Sequence, residues 1–197
     1  MQAFGQIIGQ LLVATPAAWA FSKFHFKGEK FLFIVYIALM VLPFQVFMVP
    51  NYLISTQLHV FDTPLAVILP GIFSAFPIFI IRKSFDDVPD EIIEAAKLDG
   101  ATEPQIFFRI GLPLGYSGVF AAVVLCFIES WNSVEQPLLF LPSQQNWPLA
   151  LYMNGITEEN LEIAMAASLV SFIPSLLIFL CGQSYLEIGI QAGSVKG

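Results

Sequence analysis

The feature that most limits what this chain can fold into is where its charges are missing. Five runs, at about residues 3–21, 31–49, 64–81, 112–131 and 163–183, contain no Lys or Arg and a single acidic residue, Glu129. Each is long enough, or nearly so, for a helix to cross a bilayer core of about 30 Å. The connections between them alternate. The first, Ser22 to Lys30, carries Lys23, Lys27 and Lys30, and the second, Pro50 to Thr63, has no Lys or Arg. The third carries Arg82, Lys83, Lys97 and Arg109, the fourth, Asn132 to Glu162, again has none, and the tail has Lys196. All eight basic residues therefore fall on one side of a five-span arrangement. Cytoplasmic loops are enriched in Lys and Arg, so that side, with the C-terminus, is expected to be cytoplasmic.

Composition agrees with the pattern. Hydrophobic residues make up 57% of the 197 and charged residues 12%, against about 25% charged in a soluble domain. The expectation is an all-α polytopic membrane bundle of about five transmembrane helices, forming one transmembrane domain over residues 1–197. Such a chain has membrane lipid around it. A net charge of −7 with no basic patch excludes a nucleic-acid partner. Cys126 and Cys181 both lie in apolar runs and read as small hydrophobes, not as a disulfide or metal pair. No basic region precedes the first apolar run, so a cleavable leader is not expected. With five spans and the C-terminus inside, the N-terminus falls outside, and the expectation is a chain lacking the first span of a six-span protein.

The spans are not uniform. The first contains Gln6, Gln10 and Pro16 and is rich in Gly and Ala, which suits packing against other helices. Gln6, Gln10 and Gln45 are expected to bond between helices rather than to a solute. Pro43, Pro70, Pro77 and Pro174 mark bends. The fourth connection, with Pro142, Trp147, Pro148 and Gly155, is long and turn-rich and admits two readings: a plain surface connection, which is favoured, or a site of partner contact.

One stretch departs from all this. Residues Glu91 to Leu114, EIIEAAKLDGATEPQIFFRIGLPL, are amphipathic and charged. They read as two short helices. The first takes Asp87 as its N-cap with Pro89 in its first turn and stops at Gly100, which suits a left-handed cap. The second opens with a Thr102-x-x-Gln105 capping box and Pro104 in its first turn, and is expected to end before Pro113. Ile92, Ala95, Ala96 and Asp99 share a face of the first helix. Glu94 can pair with Lys97 or with a partner's basic group. Ile106, Phe107 and Ile110 form an apolar strip on the second. From Asp86 to Arg109 there are seven Asp/Glu against Lys97 and Arg109. Anionic inner-leaflet lipid repels such a segment, so a soluble protein partner suits it better than the membrane surface.

Catalytic chemistry is not legible. There is no phosphate-cradling G-x-x-x-x-G-K-[ST], no H-E-x-x-H and no paired-Cys pattern. His25 and His59 fall on opposite sides of the membrane and cannot share a site. No enzyme activity, metal or cofactor is expected. Glu129, Trp131 and Asn132, near Glu135, admit two readings: a polar lining for a solute path, or an ordinary interfacial belt at the outer membrane surface.

The order of residues in the charged stretch carries a resemblance. Glu94-Ala95-Ala96, Asp99-Gly100-Ala101, then Ile110-x-Leu112-Pro113 resembles the EAA loop of ABC-importer permeases, and in particular the maltose-type carbohydrate permease subunits. Ala20-Phe21 with Phe26-Lys27-Gly28, Trp131-Asn132 with Pro137-Leu138, and the end Gly193 to Gly197 agree over nearly the whole chain. The resemblance implies a multi-pass subunit of a bacterial inner membrane, with the loop at residues 86–113 coupling it to a cytoplasmic ATPase. By match, Glu94, Ala95, Ala96 and Gly100 form the docking contact, with Asp99 and the Leu112-Pro113 exit fixing its geometry. It implies a binding-protein-dependent importer for a carbohydrate or related solute. The implied partners are ABC ATPase subunits, a second homologous permease subunit and an extracytoplasmic solute-binding protein. The family has six or more spans, against five here. The rival readings are an ATP-independent secondary transporter or channel, which would want more intramembrane ionisable residues than Glu129, and a membrane scaffold of another class.

Overall fold

A computed structural model describes residues 2–154 and 161–194. Among these residues every regular element is helical. The order is α1 (Gln2–Lys23), α2 (Glu29–Val41), α3 (Phe44–Gln57), α4 (Pro64–Ile72), α5 (Ala75–Asp86), α6 (Asp90–Leu98), α7 (Glu103–Ile106), a π turn (Phe107–Gly111), α8 (Leu112–Leu114), α9 (Tyr116–Trp131), α10 (Glu135–Phe140), a 3₁₀ turn (Gln144–Asn146), α11 (Leu149–Asn154) and α12 (Leu161–Ser194).

By length and apolarity, three described segments suffice to cross a membrane: Gln2–Lys23, Pro64–Asp86 and Met165–Leu186. The number rises to five if each of two bent pairs counts as one span, α2 with α3 at 97° and Glu103–Leu114 with α9 at 71°. Proline explains the first bend. The residue before a proline is pushed out of helical geometry, so α2 ends at Val41, and Pro43 caps α3 in an extended conformation (φ −66°, ψ 148°). The interruption between α4 and α5 falls at Phe73, four residues before Pro77, whose missing N–H cannot serve the Phe73 carbonyl. Pro16, Pro50, Pro70 and Pro174 lie inside helices. The second connection is accordingly shorter than expected, because α3 runs on through Pro50 to Gln57.

The described chain resolves into two compact units. One gathers residues 10–41, 74–123 and the chain from 182 on, and so holds the connections that carry Lys23, Lys27, Lys30, Arg82, Lys83, Lys97 and Arg109. Its core is Ala14, Ala18, Trp19 and Phe21 of α1, Ile78, Ile81 and Phe85 of α5, with Val88, Ile93, Ile106 and Ala122. The Trp19 ring meets Phe85 edge-on at 5.1 Å between centroids. Between α2 and α5, Arg82 lies 3.8 Å over the Phe33 ring and 3.9 Å from Glu29.

The other unit gathers residues 1–9, 42–73 and 124–181, with the connections free of Lys and Arg. The fourth connection is not a plain surface loop. It is built of α10, the 3₁₀ turn and α11, and it buries Pro137, Phe140, Leu141 and Leu151. Asp62 fastens it to the second connection. Its carboxylate accepts the Ser143 N–H at 3.0 Å and the Ser143 hydroxyl at 2.5 Å, and its own N–H donates to the Phe140 carbonyl at 3.0 Å. Asn146 donates to the Asp62 carbonyl at 2.6 Å and takes the Gln2 amide at 3.0 Å. These bonds hold Asp62 at φ 59°, a left-handed conformation that Asp tolerates better than most residues. Gly155 and Lys196 of the sequence reading lie outside the described residues.

Candidate functional site

The charged stretch forms a helix pair that leaves the spans and returns to them. Asp87 does not open α6. It closes α5 as its C-cap (φ −78°, ψ −10°), and Pro89 is the N-cap of α6 with an extended backbone (φ −61°, ψ 133°). The reason is local: α5 keeps its register through Asp86, so the chain first becomes extended at the proline. Lys23, the last residue of α1, fixes this corner. Its ammonium donates to the Val88 carbonyl at 2.6 Å and to the Asp90 carboxylate at 2.7 Å.

The far end of α6 has the geometry read from the sequence. Gly100 sits at φ 82°, beyond the Asp99 C-cap. Its N–H bonds the Lys97 carbonyl at 3.0 Å, and the Ala101 N–H bonds the Ala96 carbonyl at 2.9 Å. This is a Schellman closure, with its two small residues, Ala96 and Ala101, packed on the core. Thr102 then opens α7 with a capping box, its N–H donating to Gln105 Oε1 at 2.9 Å. Lys97 does not pair with Glu94. It reaches over the Gly100 turn to Glu103 at 2.7 Å, because the Schellman turn brings the start of α7 to the end of α6.

The second helix also does not stop before Pro113. A π turn at Phe107–Gly111 carries the chain into α8, with the Leu112 N–H on the Phe107 carbonyl five residues back. In α-helical register the Pro113 ring would strike the Arg109 carbonyl, and the wider turn moves the register past that clash. The run breaks at Gly115 instead, where it turns into α9. Gly111 is needed for close approach: a Cβ there would lie 2.5 Å from Trp19 Cζ3.

The pair is two-faced. Ile93 and Ile106 are buried in the core, and Ala96, Ala101, Phe107, Ile110 and Leu112 pack against it. The apolar strip of the second helix is thus anchored within its own unit. On the other face Glu94, Ala95, Asp99 and Gly100 are exposed, with Ile92 42% and Leu98 89% exposed. Leu98 and the 65%-exposed Phe108 were not singled out from the sequence. An apolar residue flanking a Gly cap reads as a hydrophobic closure, and only its position past the end of the buried face shows it bare. Of the seven acidic groups, Asp86, Asp90 and Glu103 have basic partners, while Asp87, Glu91, Glu94 and Asp99 are exposed with no ion pair among the described residues. The Lys23 hydrogen bond and charge hold the Asp90 carboxyl below its ordinary value of 3.8.

The second candidate group lies at the end of α9, in the unit that contains residues 124–181. Trp131 stacks on Phe127 (5.5 Å, 15°), and its indole N–H donates to the Ser171 carbonyl at 3.0 Å. The Asn132 amide bonds back to the Ile128 carbonyl at 2.8 Å. Glu129 is exposed, with no hydrogen bond among the described residues. Next to it Ser130 donates to Gln6 Oε1 at 2.8 Å, the interhelical role expected of Gln6.

An apolar multi-helix chain with an acidic two-faced helix pair leads to a direct comparison with known proteins. The sequence profile of the family described as "Binding-protein-dependent transport system inner membrane component" matches residues 10–191. The chain belongs to that family. It is a multi-pass inner-membrane permease subunit and not an enzyme, as its relatives are transport permeases. It is 31% identical over 194 residues to the arabinooligosaccharides transport system permease protein AraQ of Halalkalibacterium halodurans, covering 97% of this chain and 70% of that one. It is 34% identical over 185 residues to the inner membrane ABC transporter permease protein YcjP of Escherichia coli, covering 91% and 66%. To the lactose transport system permease protein LacG of Rhizobium radiobacter it is 32% identical, covering 94% and 69%. The chain thus spans 66% to 70% of the length of these relatives. Its fold matches the crystal structure of a bacterial ABC transporter involved in the import of the acidic polysaccharide alginate, with TM-score 0.80 at 22% identity, covering 93% of this chain and 71% of that one.

Proposed function

We propose that this chain is the membrane-spanning subunit of an ATP-driven, binding-protein-dependent ABC importer for a carbohydrate or related solute, and that residues 86–113 couple it to a cytoplasmic ATPase. The observation that carries the reading is the two-faced helix pair. One face is locked into a core of Trp19, Phe85 and Ile93, and the other presents Leu98, Ala95 and Ile92 among Glu91, Glu94 and Asp99. Burying a side chain such as Leu98 against a partner contributes about 1.5–3 kcal/mol. The unpaired carboxylates suit a groove with basic groups at its rim. A push on this face moves an anchored body rather than a loose loop, which is what a coupling element requires.

In this reading Glu94, Ala95, Ala96 and Gly100 make the docking contact, with Asp99 and Leu112-Pro113 fixing its geometry. Ala96 takes part from its rim, since it is half-buried against the core. The complex contains ABC ATPase subunits, a second homologous permease subunit and an extracytoplasmic solute-binding protein, with the C-terminus cytoplasmic. Glu129, Trp131 and Asn132 border the solute path. Trp131 serves there as a fixed flat surface, because Phe127 and Ser171 hold its ring. The carbohydrate assignment rests on relatives named for arabinooligosaccharides and lactose.

The test is Gly100→Leu. Transport driven by ATP should be lost while the solute-binding protein keeps its affinity for the solute. ATP-dependent uptake at the unsubstituted rate would contradict the coupling role.

A further inference from the structure

Lys23 is an unusual lysine. Its side chain is 7% exposed, although it ends α1 in a connection whose other lysines were read as ordinary cytoplasmic charges. Two of its three donors are used at short distance, on the Val88 carbonyl (2.6 Å) and the Asp90 carboxylate (2.7 Å). Val88 is 4% exposed and belongs to the core, whereas Asp90 is 74% exposed and stands in the first turn of α6. The buried ammonium thus joins the end of one long helix to the first turn of the helix pair. Lys23 is the last residue of α1, a helix that runs from Gln2 to Lys23.

We propose that Lys23 is a positioning residue that ties the motion of α6 to α1, so that displacement of the helix pair by ATP is delivered to the first helix. This rests on the coupling reading given above. Packing alone would seat α6, since Ile93 and Val88 already bury into the core. What packing does not supply is a directional link between the two backbones. An ammonium held by a main-chain carbonyl and a charged partner resists sliding that apolar contacts permit, and so passes displacement of α6 to the end of α1.

The experiment uses the whole complex purified through a tag on this chain, with Cys126 and Cys181 replaced by Ser. An environment-sensitive fluorophore is placed on Phe24→Cys, just past α1, or on Glu91→Cys, in α6. Mg-ATP with vanadate is the probe. In the otherwise unsubstituted complex both positions should shift on trapping. In Lys23→Met the shift at 91 should remain and the shift at 24 should be lost. Asp90→Glu should keep both, and Asp90→Asn should weaken the response at 24, which covers the case in which Lys23→Met fails to assemble. A full shift at 24 in both Lys23→Met and Asp90→Asn, or in Asp90→Asn alone when Lys23→Met does not assemble, would overturn the link while leaving coupling intact. No response at 91 in the unsubstituted complex would overturn the coupling reading itself, and this inference with it.

Discussion

Gly100 and two aspartates decide most of what single residues do here. Gly100 has open space where a Cβ would sit, so its requirement is conformational: at φ 82° an L side chain costs about 1–2 kcal/mol. Gly100→Ala should destabilise the turn by that amount, measurable as a lower thermal midpoint of the solubilised chain, with no change expected for an Ala at neighbouring exposed Asp99. Asp62 and Asp90 give a pH prediction. The Ser143 hydroxyl and N–H hold Asp62 below its ordinary value of 3.8, and Lys23 does the same for Asp90. A carboxyl whose pKa is depressed on folding adds stability that is present above its unfolded value and is lost as pH falls through the folded one. Both contacts should therefore persist at pH 5 and dissolve only below about pH 3.8. Asp62→Asn should flatten the acid limb of a stability-against-pH curve, and an unchanged limb would show that the carboxylate is not the group responsible. Gly100 and the Thr102–Gln105 box were legible in sequence because a cap is decided by a few adjacent residues. The pairing of Lys97 was not, since it depends on where the turn sends the chain.

The elements show where proline and glycine rules succeed and where they run out. Pro43 and Pro77 interrupt helices at the places their missing donors dictate, yet Pro16, Pro50, Pro70 and Pro174 lie inside helices and Pro113 is absorbed by a π turn. A proline states that one hydrogen bond is lost; the surrounding packing determines whether the chain bends. The anchoring of the helix pair is likewise invisible to periodicity, because Trp19 and Gly111 are far apart in sequence and meet only in the fold. Gly111→Leu should cost about 1–3 kcal/mol through overpacking against Trp19. The two adjacent isoleucines of α6 separate anchoring from docking. Ile93 is 6% exposed and Ile92 42%. Ile93→Ala should lower stability by about 2–5 kcal/mol. Ile92→Ala should leave the melting midpoint nearly unchanged while reducing the amount of ATPase that co-purifies. Equal loss of stability from both would contradict the two-faced arrangement.

At the scale of the whole molecule, the five apolar runs and the alternation of basic connections led to a helical membrane protein, and family membership and the fold match agree with that class. Charge placement bears on sidedness because membrane insertion sorts Lys and Arg before any tertiary contact forms. It does not report bends, which is why two of the expected runs are angled helix pairs. It also missed that the fourth connection is packed and helical, since the Asp62 bonds that fasten it are long-range. The proposed sidedness is open to cysteine labelling: Lys27→Cys and Glu91→Cys should react only from the cytoplasm, and Leu58→Cys and Leu138→Cys only from outside. The central claim is that the exposed face of α6 meets an ATPase, and a photo-crosslinking residue at Leu98 in intact cells tests it most directly. The account predicts a single adduct with the ATP-hydrolysing subunit, its yield changing when ATP is trapped. Adducts with lipid alone, or with no ATPase among the products, would contradict it.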